Sequence, residues 1–118
     1  MTKETELGME ENIEGALCYV LGWLSGIIFY FLEEDNKFIR FHAVQSIITF
    51  LGITILIWIV GFIVSIMSMV IPFAFMLGGV TWLIGILSVI LWLVLMLKAY
   101  KGEKYKLPVV GDIADKHS

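Results

Sequence analysis

The chain has 118 residues, 59% of them hydrophobic and 16% charged, with a mean hydropathy of +0.92, well above the roughly 45–50% apolar usage of soluble domains. Its 11 acidic and 8 basic side chains sum to −3, and no basic face interleaved with aromatics is laid out to follow a phosphate backbone, so nucleic acid is excluded as a partner class. The lone Cys18 can form neither an internal disulfide nor a thiolate cluster and reads as a small packing residue.

Residues 1–12 form a polar, acidic leader, with Glu4, Glu6, Glu10 and Glu11 against Lys3. The first apolar run covers 13–32, and Glu14 in its first turn is its one Asp, Glu, Lys, Arg or His. The acidic flank, the length of the run and its charged end at Glu33-Glu34-Asp35 do not suit an export signal, so this segment is expected to be retained as a span. Asn12 is its expected N-cap.

From Phe38 to Ile71 there are 34 residues without proline. As one helix they would measure about 50 Å, against about 30 Å of hydrocarbon. The surplus is amphipathic. At 100° per residue His42, Gln45, Ser46 and Thr49 share one face, while Phe41, Val44, Ile47, Ile48 and Leu51 share the other. Residues 38–47 therefore read as an amphipathic opening segment to a second span at about 47–71. Pro72 ends that helix and Gly78-Gly79 lies in an uncharged turn. A third span follows at about 80–97, and Lys98 to Lys106 returns to water.

The fold class is an all-α integral membrane protein with three transmembrane helices. A four-span alternative, splitting 38–79 near Gly61, lacks a polar hairpin. The domain runs over 13–100, and 101–118 form a cytoplasmic tail. Lys37 and Arg40 follow the first span, and Lys98, Lys101, Lys104 and Lys106 follow the last, whereas the 72–79 turn carries no basic residue. The bias places both basic groups in the cytoplasm of a prokaryotic plasma membrane, with the N-terminus outside and the C-terminus inside.

Polar groups at the rim of hydrocarbon are costly unless paired, so Arg40, His42, Gln45, Ser46 and Thr49 form the candidate polar face, able to line a path or to lock the helices together. Neither a metal site nor a catalytic set follows: His42 has no ligand at i+3 or i+4, and Ser46 lacks an oxyanion hole. No glycine pattern matches a phosphate loop, so no cofactor is expected and the chain reads as non-enzymatic. Gly15, Gly22 and Gly26 in the first run, and Gly78 and Gly85 in the third, recur at helical steps and are candidate helix-packing positions, within one chain or between copies. Lys98, Lys101, Lys104 and Lys106, accompanied by Tyr100 and Tyr105, are candidate contacts for lipid head groups. The Leu107-Pro108-Val109-Val110 patch beyond them is expected to fold back onto the membrane surface.

The run Phe41-His42-Ala43-Val44-Gln45 and the exit containing Lys98, Ala99, Gly102, Glu103, Tyr105 and Pro108 are similar to a small prokaryotic membrane-protein family distantly related to Tic-twenty, the import component of the chloroplast inner envelope. The resemblance covers roughly residues 12–112. It implies a small helical bundle without enzymatic activity, and its plastid relatives imply preprotein translocation within a larger complex. The chain lacks their extended N-terminal region and a fourth span, which argues against a self-sufficient pore. The expected function is thus assistance to protein translocation or membrane insertion, with a client polypeptide, membrane lipids and a homo-oligomer or larger complex as partners. An oligomeric channel or transporter for small solutes or ions, and a structural lipid-binding protein, are the alternatives.

Overall fold

A computed structural model of the chain describes residue 8 and residues 10–118, so most of the 1–12 leader lies outside the described residues. The described residues form helices without a β-strand: α1 (Glu11–Val20), α2 (Trp23–Leu32), α3 (Lys37–Val70), a 3-10 turn (Pro72–Leu77), α4 (Gly78–Tyr100) and α5 (Val110–Lys116). The molecule is elongated, 56 × 23 × 21 Å.

The single helix expected over 13–32 is two helices. Gly22 sits at φ +64°, ψ −132°, a left-handed φ that would cost an L side chain about 1–2 kcal/mol. Its N–H closes a turn on the Tyr19 carbonyl at 2.9 Å. Ten residues give α1 and α2 a length of about 15 Å each, half the hydrocarbon thickness. Nor does Asn12 cap α1: the cap position is Glu10, without a side-chain hydrogen bond, and Asn12 Nδ2 instead donates to the Tyr100 carbonyl at 2.8 Å.

The two short helices run in opposite senses along the long ones. Asn36 Nδ2 donates to Glu11 Oε2 at 2.9 Å, at the open end of α1. Deeper in, the Trp92 indole N–H donates to the Tyr19 carbonyl, and Ser46 Oγ donates to the Gly22 carbonyl at 2.7 Å. Returning along α3, α2 reaches Arg40, whose Nη1 donates to the Tyr30 carbonyl at 2.9 Å. Residues 11–32 are therefore a hairpin whose start lies beside Asn36 and Tyr100, whose end returns to the loop before Asn36, and whose tip is at Leu21–Gly22. The expectation that a first span separates the leader from the 33–37 loop is corrected by the Glu11–Asn36 contact.

α3 is continuous over 34 residues, about 51 Å, and opens on a true cap: Asn36 Oδ1 accepts from the Ile39 N–H at 3.1 Å. The core of Cys18, Tyr19, Ile39, Ala43, Phe50, Leu95 and Ala99 lies within reach of the hairpin. Past Ile53 on α3 and before Leu91 on α4 the helix side chains are mostly apolar and none is fully buried; Trp58 is 71% exposed and Met69 86%. Three hydroxyls there satisfy themselves within the helix: Thr54, Ser68 and Ser88 donate to the carbonyls four residues back at 2.7, 2.8 and 2.6 Å.

α4 closes with a Schellman cap: Gly102, at φ +80°, donates to the Ala99 carbonyl and Glu103 to that of Lys98, both at 3.0 Å. A strap of residues 103–107 then turns back along the start of α3, a turn follows at 108–109, and α5 docks through Ala114 against Phe41 and Val44.

The glycines divide into two classes with opposite expected responses. A Cβ on Gly26 would lie 2.8 Å from the Ala43 carbonyl oxygen and 3.0 Å from Ile47 Cγ1, so Gly26→Ala should destabilise by about 1–3 kcal/mol. Gly85 has nothing within 4 Å, so Gly85→Ala should be neutral or gain up to about 1 kcal/mol of helix propensity. Thermal unfolding of both variants in one detergent would show opposite shifts.

Candidate functional site

The polar groups of the head converge on one network. α3 places His42, Gln45 and Ser46 on its inner face, all fully buried, and α1 brings in Tyr19, also fully buried. His42 Nε2 lies 2.9 Å from the Glu103 carbonyl oxygen. A carbonyl only accepts, so Nε2 carries the hydrogen, and Nδ1 is left to accept from Tyr19 Oη at 2.7 Å. Tyr19 Oη in turn accepts from Gln45 Nε2 at 3.0 Å.

The second hydrogen of Gln45 Nε2 goes to the Tyr105 carbonyl at 2.9 Å, and Gln45 Oε1 accepts the Leu107 N–H at 3.0 Å. A flipped carboxamide would set donor against donor and acceptor against acceptor, so the orientation is unique. The strap is thus gripped at residues 103, 105 and 107 through main-chain atoms alone, at the period by which a β-strand presents its groups to one neighbour. The strap side chains from Glu103 to Lys106 are exposed, and Leu107 is half-buried.

Rings enclose the imidazole on three sides: Phe38 at 4.7 Å, Phe41 at 5.1 Å and Tyr19 at 5.4 Å between centroids, all edge-on. Ser46 points elsewhere, to the broken backbone at Gly22. Thr49 is buried on the same face, and its hydroxyl has no hydrogen-bond partner. Arg40 lies outside the network, its guanidinium stacked 3.9 Å above the Tyr30 ring.

The strap is fastened at its far end by charge. Lys106 Nζ lies 3.1 Å from Asp115 Oδ2 and Lys104 Nζ 3.6 Å from Oδ1, while Lys98 faces Glu103 at 3.5 Å. Of the four expected lipid-contacting lysines, three are therefore engaged within the chain and Lys101 stays exposed. Among the glycines, Gly15 and Gly26 are packing sites, with Phe38 2.8 Å and Ala43 2.8 Å from a Cβ position, Gly22 is the break in the helix, and Gly78 and Gly85 face open space.

Comparison with known sequences matches residues 10–114 to MamF/MmsF, the magnetosome magnetite crystal formation protein family. The chain belongs to the MamF/MmsF family. A UPF0132 membrane protein of Methanocaldococcus jannaschii is 53% identical over 98% of this chain and 94% of its own length. A second from that organism is 49% identical over 94% of the chain and 72% of its own length, and one from Archaeoglobus fulgidus is 44% identical over 91% and 94%. No solved structure matches. The match over nearly the whole chain assigns it to MamF/MmsF, and the resemblance to Tic-twenty relatives is corrected accordingly. Its relatives are named membrane proteins, and two helices are long and apolar enough to cross a bilayer.

Two members of the network were not singled out in the sequence of this MamF/MmsF chain. Tyr19 stands among apolar residues, and the signal was its hydroxyl, since a buried tyrosine needs a partner. The strap contributes only backbone, which side-chain patterns do not report.

Replacing Gln45 with Leu would strip partners from the Tyr105 carbonyl, the Leu107 N–H and the Tyr19 hydroxyl. A loss of about 1–3 kcal/mol is expected, with faster amide hydrogen exchange over 103–109. The far end answers to pH. The Lys106 hydrogen bond, then the charges of Lys106 and Lys104, hold the Asp115 carboxyl below its ordinary value. With the folded pKa below the unfolded one, the latch contributes fully above the ordinary Asp range and is lost as pH falls through the lowered value. Proteolytic nicking after Lys104 or Lys106 should rise in that acid window and not between neutral pH and the ordinary Asp range.

Proposed function

We propose that this chain is a non-enzymatic membrane component that assists translocation or insertion of other polypeptides, receiving an extended segment on the inner face of α3. The observation that carries the reading is the seating of an extended backbone against His42 and Gln45 through alternate main-chain groups. A chain entering a membrane before it has folded carries unpaired N–H and C=O groups that hydrocarbon cannot satisfy. A face that pairs them without reading side chains answers that need.

The hairpin supports the same reading. α3 and α4 cross the bilayer, and α1 and α2 enter to about half depth and return, so the polar face sits at a head that opens toward one leaflet. Both ends of the hairpin lie beside Lys37, Arg40 and the Lys98–Lys106 exit, which the positive-inside bias places in the cytoplasm. On this reading the N-terminus is cytoplasmic as well, in place of the outside location expected from three spans. Magnetite crystal formation, the family's description, is compatible with a component that gathers proteins at a membrane. Among the described residues no three His, Cys, Asp or Glu side chains group as a metal-ion site.

Two measurements test this. Labels at position 8 and position 118 should react from the same side of sealed vesicles, and opposite-sided reaction would remove the half-depth hairpin. A photocrosslinker at position 49, with Gln45 intact, should capture other polypeptides in native membranes; adducts limited to lipid and to the chain itself would defeat the proposed role.

A further inference from the structure

We infer that the strap, residues 103–107, is the resting occupant of a binding site for extended polypeptide, and that a client segment binds by taking its place on Gln45 and His42. This rests on the reading above and adds to it a competitor built into the chain.

The contacts are those of a ligand more than of a core element. Three hydrogen bonds hold the strap to α3, each to a main-chain atom, at residues 103, 105 and 107. Any extended segment offers the same atoms at the same spacing, so five residues of another chain can reproduce the set. The strap's side chains add little: Glu103, Lys104 and Lys106 make exposed ion pairs, Tyr105 is exposed, and Leu107 alone is half-buried, against the apolar core. Remove it and the Tyr19–His42–Gln45 chain of hydrogen bonds still stands on α1 and α3. The groups left open are the Nε2 hydrogen of His42 and the donor and acceptor ends of Gln45, a template of two donors and one acceptor.

The strap is also placed to leave. Gly102 at its base has φ +80° and forms the Schellman cap, which takes only the Glu103 N–H from the strap and leaves residues 104–107 outside the helix end. At its other end Val109 has φ +67°, a strained conformation for a β-branched residue. Beyond it, α5 is fastened by Ala114 against Phe41 and Val44 and by the exposed Asp115 ion pairs, which are weak ties in water. Release of α5 relieves Val109 and frees the strap together.

Gly111 gives a means of loosening the strap without touching the template. A Cβ there would lie 2.6 Å from Lys106 Cα and 2.8 Å from Lys106 C, so Gly111→Ala pushes α5 and the strap apart. Leu107→Pro, the second variant, deletes the N–H that Gln45 Oε1 accepts. The full chain, with a photocrosslinker at position 49 and Gln45 intact, is irradiated in native membranes in wild-type and variant forms, and a retained cooperative thermal unfolding transition confirms that each variant folds. Both substitutions should raise the yield of adducts with other polypeptides several-fold, and adding Gln45→Leu should abolish the gain. Adducts that form equally with and without the substitutions would overturn the strap as competitor while leaving the client reading intact. No polypeptide adducts in any form would overturn both. Adducts between two copies would show instead that the site takes a second chain's strap, and would also overturn the inference.

Discussion

The structure depends on one broken helix and on how its loose backbone groups are satisfied. An uninterrupted helix over 11–32 would pair its own carbonyls. The left-handed Gly22 prevents that and leaves polar atoms unmatched in an apolar setting, where each unpaired group is expensive. Side chains from α2, α3 and α4 meet the demand. Ser25 Oγ accepts the Leu21 N–H at 3.1 Å and lies 2.8 Å from the Cys18 carbonyl; Ser46 serves the Gly22 carbonyl; the Trp92 indole serves that of Tyr19. Each of these fixes an element. Ser46 registers α3 against the hairpin tip and Trp92 registers α4, so the break that shortens the first span also determines where the head is assembled.

Once the hairpin turns back, α1 lies alongside the inner face of α3, and the buried hydroxyl of Tyr19 needs partners there. His42 and Gln45 answer it, but each has more capacity than one phenol can use. The remaining donors and acceptor are matched by the strap. The network is complete only when all three elements are present, which is why a polar face that is costly in hydrocarbon can be retained: satisfied, it specifies one arrangement, and half-satisfied, it would be worse than an apolar one. The close approaches are made where a side chain would obstruct them, at Gly15 beside Phe38 and at Gly26 beside the Ala43 carbonyl.

Much of this could be read from residue order. The apolar runs announced helices α3 and α4, the surplus length of the second region marked its amphipathic start, and His42, Gln45, Ser46 and Thr49 fall on one buried face as helical periodicity requires. The hairpin was not legible, because a run of 20 apolar residues satisfies the length criterion for a span whether or not it bends, and Gly22 looks the same as a packing glycine as it does as a break. The distinguishing sign was the company it keeps. Ser25 three residues on and Ser46 across the interface supply the hydrogen bonds that only a broken helix needs. The lysines after α4 were read by charge alone, and charge does not say whether Asp115, far along the tail, will come back to meet Lys104 and Lys106.

The hairpin of α1 and α2 makes the molecule asymmetric along its length. Five helical segments meet at the head, but below the tip α3 and α4 are left as a pair around a groove of about 690 Å³ lined by Gly61, Gly78, Gly85 and apolar neighbours such as Trp82 and Ile86. None of these glycines has an atom within 4 Å of a Cβ position, so their small size is not used for packing inside the chain. The two halves therefore meet their surroundings under different rules. The far half offers only dispersion contacts to whatever fills it, lipid or helix, and those discriminate weakly between occupants. The head offers directional hydrogen bonds, and directional bonds discriminate strongly. The buried hydrogen-bond network thus lies on the strap side of Gly22, and the long apolar pair extends beyond it.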